Sequence, residues 1–124
     1  MQTSNFELQL SEPTHLLVPS LKNPYLSLGT QNGKLMFFDL NSKKISVTSE
    51  IFGSQINCLK NTDNGEVLVS SNKKEIFYGQ INSKGESNGI SIKTKANCYS
   101  VDITDFMIVA GSDDGQICTL LLLY

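Results

Sequence analysis

The residue types that most often carry chemistry are few in this chain and lie far apart in its sequence. His15 is the only histidine, and the three cysteines are Cys58, Cys98 and Cys118. A zinc site needs four ligands at recognisable spacing, and a nucleophilic cysteine needs a base beside it. One histidine and three cysteines without a Cys-x-x-Cys pair meet neither requirement. We therefore interpret the cysteines as small buried packing residues and His15 as a packing or surface residue.

The carboxylates cluster in two places, at Asp113-Asp114 and around Asp102 and Asp105. Adjacent side chains on a turn point in different directions, so Asp113-Asp114 is not expected to act as a general acid–base pair. A calcium site at Asp102 and Asp105 would need more oxygen ligands at fixed spacing. The remaining polar clusters are interpreted as solvated loops, at Lys43-Lys44, Lys73-Lys74 and Ser83–Asn88. The sequence therefore predicts no catalytic, cofactor-binding or metal-binding residue, no cofactor and no enzymatic activity, and it identifies no partner-binding residue by type.

Composition limits the class of protein. The chain has 124 residues, 40% of them apolar and 18% charged, with a formal net charge of −2. These values fit one folded domain rather than a disordered or membrane protein, and they give no positive field that would collect nucleic acid. The polar N-terminus lacks a signal-peptide layout, and apolar runs such as Leu120–Tyr124 are too short to span a bilayer. We expect an intracellular protein, in the cytoplasm or the nucleus, without membrane contact.

The clearest organisational signal is a repeat of 41 residues, whose units align at positions 29, 70 and 111 (70 minus 29, 111 minus 70). Residues of like chemistry recur at equivalent positions, for example Leu35, Ile76 and Ile117. Other matching sets are Leu26 with Val67 and Ile108, and Leu40 with Ile81 and Leu122. Periods of about 40–45 residues with several strands in each unit are typical of propeller blades.

Each unit is predicted to contain four antiparallel strands, a to d, because short apolar and β-branched bursts alternate with turn residues. The third unit lacks strand d. The predicted strands are about His15–Ser20, Tyr25–Thr30, Lys34–Leu40 and Ile45–Ser49 in the first unit, Ile56–Lys60, Val67–Ser71, Glu75–Ile81 and Ile90–Lys93 in the second, and Tyr99–Ile103, Met107–Ser112 and Gln116–Leu123 in the third. The alternating segment Phe6–Leu10 adds a twelfth strand, which we expect to close a blade.

The turns between strands b and c follow a dipeptide signal in two units. Asn32-Gly33 and Asp114-Gly115 are typical of two-residue hairpins in which both turn residues have positive φ. The second unit has Lys73-Lys74 at this place, so we expect its turn to be longer or strained.

Two segments give the chain a resemblance to the WD40-repeat family. Leu28–Leu40 resembles that family's strand b, turn and strand c, with Phe38-Asp39 where the Trp-Asp pair would stand. Val109–Ile117 matches strand b and the turn, with Ser112 and Asp114 at the positions of the family's hydroxyl and turn aspartate. The resemblance covers roughly residues 6–124. It implies an all-β fold, a partial β-propeller of about three four-stranded blades in units 13–50, 54–94 and 96–124, with 5–10 as a candidate closing strand.

The chain also departs from that family's pattern. It contains no tryptophan, and Gly79-Gln80 and Leu120-Leu121 occupy the Trp-Asp position in the second and third units. No Gly-His pair precedes any strand a. The family's internal His–Ser–Asp–Trp hydrogen-bond network therefore cannot form in full.

Three blades are fewer than the four to eight of a closed propeller, so we expect an open arc with unfinished edges. The chain is either a fragment of a longer propeller, or pairs with a second copy in a six-bladed ring closed by Phe6–Leu10, or completes a propeller with a different protein. The expected assembly contacts are Phe6–Leu10 and Gln116–Tyr124.

The resemblance implies a non-enzymatic protein–protein interaction scaffold, a WD40-like subunit of a eukaryotic intracellular complex. The alternative is a fragment of a larger propeller enzyme or ligand-binding propeller whose site lies in blades outside this sequence. Nucleic acid is not an expected partner, because all ten basic residues are lysine and arginine supplies the bidentate fork for guanine and phosphate.

Overall fold

The computed structural model describes residues 7–10, 12–19, 24–62 and 64–122, with the backbone alone over residues 15–19. Within these ranges every regular element is a β-strand. The strands are β1 (Thr14–Pro19), β2 (Tyr25–Thr30), β3 (Leu35–Asp39), β4 (Lys44–Ser49), β5 (Ile56–Asn61), β6 (Val67–Ser71), β7 (Glu75–Ile81), β8 (Ser87–Lys93), β9 (Cys98–Ile103), β10 (Met107–Ser112) and β11 (Ile117–Leu121). The predicted all-β class is confirmed.

Three antiparallel sheets follow one another along the chain, and we call them blades 1 to 3. Their strand orders are β1-β2-β3-β4, β5-β6-β7-β8 and β9-β10-β11. Each strand pairs with its sequence neighbour, so every blade is a simple meander of antiparallel hairpins. Blade 3 has three strands in the described part of the chain, as the sequence predicts. Residues 7–10 are not in a strand and Phe6 lies outside the described residues, so the twelfth, closing strand stays a prediction.

Successive blades pack face to face through two apolar cores. The core between blades 1 and 2 includes Leu35 and Phe37 of blade 1, with Val69 and Phe77 of blade 2. The core between blades 2 and 3 includes Leu68 and Ile76 of blade 2, with Cys98, Val101, Ile108 and Ala110 of blade 3. Because neighbours cover both faces of blade 2, all five residues of its strand β6 are buried, as expected for a strand with apolar residues on both sides.

A hydroxyl–carbonyl bond fixes the middle and last blades to each other within the second core. The hydroxyl of Ser70 donates to the backbone carbonyl oxygen of Cys98 at 2.8 Å, and both residues are buried. A buried hydroxyl without a partner would cost about 1–3 kcal/mol. This bond therefore favours one register of blade 3 on blade 2.

The turns between the second and third strands differ from the two-residue hairpins predicted for them. Neither Asn32 nor Asp114 has positive φ, whereas Gly33 has φ 90° and Gly115 has φ 84°. The Gly33 N–H donates to the Thr30 carbonyl oxygen at 3.3 Å. This is the three-residue hairpin, a type I turn followed by one left-handed residue. Each dipeptide was predicted to form a complete two-residue turn, whereas it supplies the last two residues of a three-residue turn.

The second unit uses the same turn without a glycine. Lys74 stands one period after Gly33 and one before Gly115, and its φ is 58°. The turn is no longer than the other two, because Ser71 and Glu75 pair across it. The expected strain is therefore present and the expected extra length is wrong.

Replacing Lys74 by glycine is expected to stabilise the protein by about 0.5–1 kcal/mol. The strain of a left-handed lysine is relieved, and the greater flexibility of glycine in the unfolded chain offsets part of the gain. The matched control is Lys73→Gly, at a turn position without positive φ, which is expected to lower the free energy of unfolding. Urea denaturation of both variants measures the difference, and equal destabilisation by both would show that position 74 is unstrained.

Candidate interaction surface

The three cysteines pack in one place, the core between blades 2 and 3. Cys98 is buried, and Cys58 and Cys118 are half-buried against the same cluster. Burial raises the pKa of the Cys98 thiol, so the thiolate that a nucleophile or a metal ligand requires is disfavoured at neutral pH. Their role as packing residues matches their interpretation from sequence. The side chain of His15 lies outside what the structure describes.

Asp114 and Asp102 each bind to their own local partners and do not contact each other. Asp114 accepts hydrogen bonds from the hydroxyl of Ser112 and, at 3.2 Å, from the backbone N–H of Gln116. The Ser112 hydroxyl lowers the pKa of the Asp114 carboxyl, and the whole network lies within one turn. Asp102 accepts from the N–H of Ile103 at 2.8 Å and lies 3.8 Å from the Lys60 ammonium. No three His, Cys, Asp or Glu side chains among the described residues come together as a metal site.

Replacing Asp114 by asparagine is expected to destabilise the protein at neutral pH and to matter less in acid. The folded-state pKa of Asp114 is lowered, so its contribution is present above the unfolded pKa and is lost as pH falls through the folded value. The difference in melting temperature between wild type and Asp114→Asn should therefore shrink on acidification. A pH-independent difference would contradict the ionised turn.

The open face of blade 3 is the most unusual surface of the molecule. Equivalent residues in the repeat, Leu35, Ile76 and Ile117, have exposed fractions of 0%, 2% and 81%. The first two pack against the following blade, and Ile117 has no following blade among the described residues. Leu121, on the same face of β11, is 61% exposed. Ile117 therefore stands at an inter-blade position that no other blade covers among the described residues, whereas Leu121 stands where the other units have Asp39 and Gln80.

The backbone edge of β11 is also unpaired in the described part of the chain, because β11 bonds only to β10. The N–H of Leu122 donates to the Phe106 carbonyl oxygen at 2.7 Å. In an antiparallel ladder the direction of these groups alternates residue by residue. Ile117, Thr119 and Leu121 therefore direct their N–H and C=O groups away from β10, to the open edge.

A groove lies beside this edge. It has a volume of about 660 Å³ and lies between Tyr78 and Ile90 of blade 2 and Leu121 of blade 3. The corresponding groove between blades 1 and 2, at Tyr25 and Val67, has a volume of about 170 Å³. On the blade 3 side the larger groove is bordered by Leu120, Leu121 and Leu122. The space, the free backbone groups and the exposed apolar face lie at one edge of the arc.

The opposite end of the arc is covered. The outer face of blade 1 consists of Leu28, Met36 and Phe38, all buried, with Leu10 packed against them. Leu8, two residues earlier, is 46% exposed. The segment 7–10 therefore lies at the blade 1 end of the arc, with blade 2 between it and β11.

The sequence predicted the assembly contacts as whole segments and did not show which of their residues face outward. Gln116–Tyr124 was expected as one apolar edge, but Leu120 and Leu122 turn to blade 2 while Leu121 faces outward. Leu123 and Tyr124 lie outside the described residues. The role of Ile117 was missed, although its match with Leu35 and Ile76 in the repeat could have revealed a face built to meet another blade.

No family model matches the chain, and no curated protein matches its sequence. Solved structures do match. The Cps50 (Swd1) β-propeller domain of Myceliophteria thermophila aligns with a TM-score of 0.82 over 94% of this chain at 12% identity, and 36% of that chain is covered. The WD40 β-propeller domain of Doa1 aligns with a TM-score of 0.72 over 86% of this chain at 18% identity, and again 36% of that chain is covered.

A designed protein gives a similar alignment. The computationally designed Ika4 protein aligns with a TM-score of 0.72 over 88% of this chain at 16% identity, with 66% of that chain covered. These likenesses confirm that the fold is that of WD40 propeller blades. They also show that the described arc spans about a third of the length of the two WD40 and propeller domains above. No helix among the described residues has the length and hydropathy to cross a membrane.

Proposed function

We propose that this chain is a non-enzymatic protein–protein interaction scaffold, a WD40-like subunit of an intracellular complex in a eukaryotic cell. The observation that carries the proposal is the open face of blade 3. A buried Leu or Ile side chain contributes about 1.5–3 kcal/mol relative to an exposed one. Ile117 and Leu121 forgo this in the isolated chain, and a protein partner seated on the face would recover it.

The side chains that could perform catalysis support a binding role rather than an enzymatic one. The thiols are packed in a core and Asp114 is engaged in its own turn. A catalytic site needs a nucleophile, a base and an oxyanion site that converge on one point, and the described polar side chains do not converge in this way. All three thiols are free, which suits a reducing intracellular compartment.

Two lysines on the open face should remove the binding without unfolding the protein. In the variant Ile117→Lys/Leu121→Lys, charge replaces side chains that are already exposed, so the free energy of unfolding should change by less than about 1 kcal/mol. A charge on a desolvated apolar contact is strongly unfavourable. We expect the tagged wild-type chain in extracts of its own cells to sediment well above 13.7 kDa, and the double variant to sediment as the free chain.

The matched control is Phe106→Lys, at another exposed apolar residue of blade 3, which lies in the turn between β9 and β10 and is 59% exposed. This control should stay in the assembly. Sedimentation of the wild type as a free chain in the extract, or retention of the double variant in the assembly, would contradict the proposal.

A further inference from the structure

We propose that the partner on the open edge of β11 is a second copy of this chain, whose residues 7–10 form the fourth strand of blade 3. The exchange is reciprocal, so two chains would form one ring of six blades. The inference rests on the proposed function and names the partner of the same surface. Six blades lie within the usual range for closed propellers, and a two-fold pair is the commonest closed assembly.

Leu10 stands at a position of the repeat where the other two units have isoleucine. Leu10, Ile51 and Ile92 are spaced by one period of 41 residues each (51 minus 10, 92 minus 51). Ile51 packs against the core between blades 1 and 2, and Ile92 packs against the core between blades 2 and 3. Leu10 packs in the same manner on the outer face of blade 1. Residues 7–10 therefore correspond in the repeat to residues 48–51, at the end of β4, and to residues 89–92 of β8, the last strands of their blades.

Blade 2 supplies the pairing register, because blade 1 differs from it: one period earlier Leu35 pairs with Ser49, and Ile51 lies beyond the end of β4. In blade 2, Ile92 pairs with Ile76 and Ile90 pairs with Tyr78. One period later the partners on β11 are Ile117 and Thr119. Carrying β8 forward by one period places Leu10 of the second copy opposite Ile117, and Leu8 opposite Thr119. These β11 residues are the ones whose N–H and C=O groups point to the open edge.

The alternation of apolar and polar residues in 6–10 resembles the alternation in β8. Phe6, Leu8 and Leu10 alternate with Glu7 and Gln9, and in β8 the apolar Ile90 and Ile92 likewise alternate with small or polar residues. Directly opposite residues of an antiparallel pair share a face. Leu8 and Leu10 would therefore extend the open apolar face of blade 3. That enlarged face would lie against the outer face of blade 1 in the second copy, where Leu10 already packs.

One chain cannot make this contact with itself in the observed arrangement. Leu10 lies on blade 1 and β11 lies on blade 3, with blade 2 packed between them. Leu8 remains exposed and residues 7–10 form no strand. Each copy thus carries a segment at residues 7–10 that is not in a sheet and, among its described residues, an edge without a fourth strand, and the register of blade 2 aligns the two.

Two proline substitutions test the exchange at its two halves. Thr119→Pro removes an N–H that points to the open edge and spares the ladder with β10, since proline is tolerated on edge strands. Leu8→Pro removes the corresponding donor of the incoming strand. Thr119→Val and Leu8→Val are the matched controls, because both keep the N–H. The measurement is absolute mass by light scattering behind size exclusion over a wide concentration range, on the untagged chain.

We expect a wild-type mass of twice 13.7 kDa, and dimer dissociation constants raised at least about tenfold by either proline, the equivalent of about 1.4 kcal/mol. The valine controls should remain dimeric. A mixture of Thr119→Pro with Leu8→Pro should associate better than either alone, because a mixed pair retains one intact junction. Circular dichroism and melting of the monomers check that each variant is folded.

A wild-type chain that stays monomeric when purified would overturn the inference, as would a dimer that both prolines leave intact or that mixing does not restore. The proposed function has a separate outcome. If the purified chain is monomeric but the chain in cell extracts still sediments in an assembly that depends on Ile117 and Leu121, the partner is a different protein. If the chain is free in both, the proposed function is wrong as well.

Discussion

Each blade of this protein has two faces, and the apolar side chains on a face are buried only when another sheet or segment packs against it. Blade 2 meets this condition on both sides, and its strand β6 is buried throughout. Blade 1 is covered on its outer face by the segment that carries Leu10. Blade 3 has the same strand order and, within the described residues, another blade covers it on one side only. Ile117 is 81% exposed, whereas the equivalent residues Leu35 and Ile76, which a following blade covers, are 0% and 2% exposed.

The same constraint explains where the cysteine and serine side chains between the blades lie. Adjacent blades pack through apolar side chains of mixed size, and the three cysteines are among those in the second core. The Ser70 hydroxyl is satisfied by the Cys98 carbonyl across the same contact. Polar residues are needed at the turns, where Ser112 and Asp114 bond to each other and to the backbone. The face of blade 3 therefore presents apolar side chains, and the edge of β11 presents backbone N–H and C=O groups, rather than reactive side chains.

Much of this could be predicted from the sequence because the 41-residue period repeats the same strands three times. The bounds of β2, β6, β7 and β10 match their predicted ranges. The turns were predicted less well, since a dipeptide such as Asn32-Gly33 does not determine how many residues close the hairpin. The apolar run at residues 120–124 showed that an edge was present but could not show that Leu120 faces blade 2 and Leu121 faces outward. Alternation assigns faces only once the strand's neighbours are known. The sequence could not predict where Leu10 packs, because a leucine side chain can cover any of several apolar faces.

Amide hydrogen exchange along β11 tests most directly whether its open edge is paired. Leu120 is bonded to β10 and serves as the internal reference, while the N–H of Thr119 points to the edge. Paired amides exchange slowly and free ones exchange quickly. If a second copy supplies the fourth strand, Thr119 should be protected about as well as Leu120 at high protein concentration, and Leu8→Pro should abolish that protection. Fast exchange of Thr119 beside a protected Leu120 at every concentration would contradict the account.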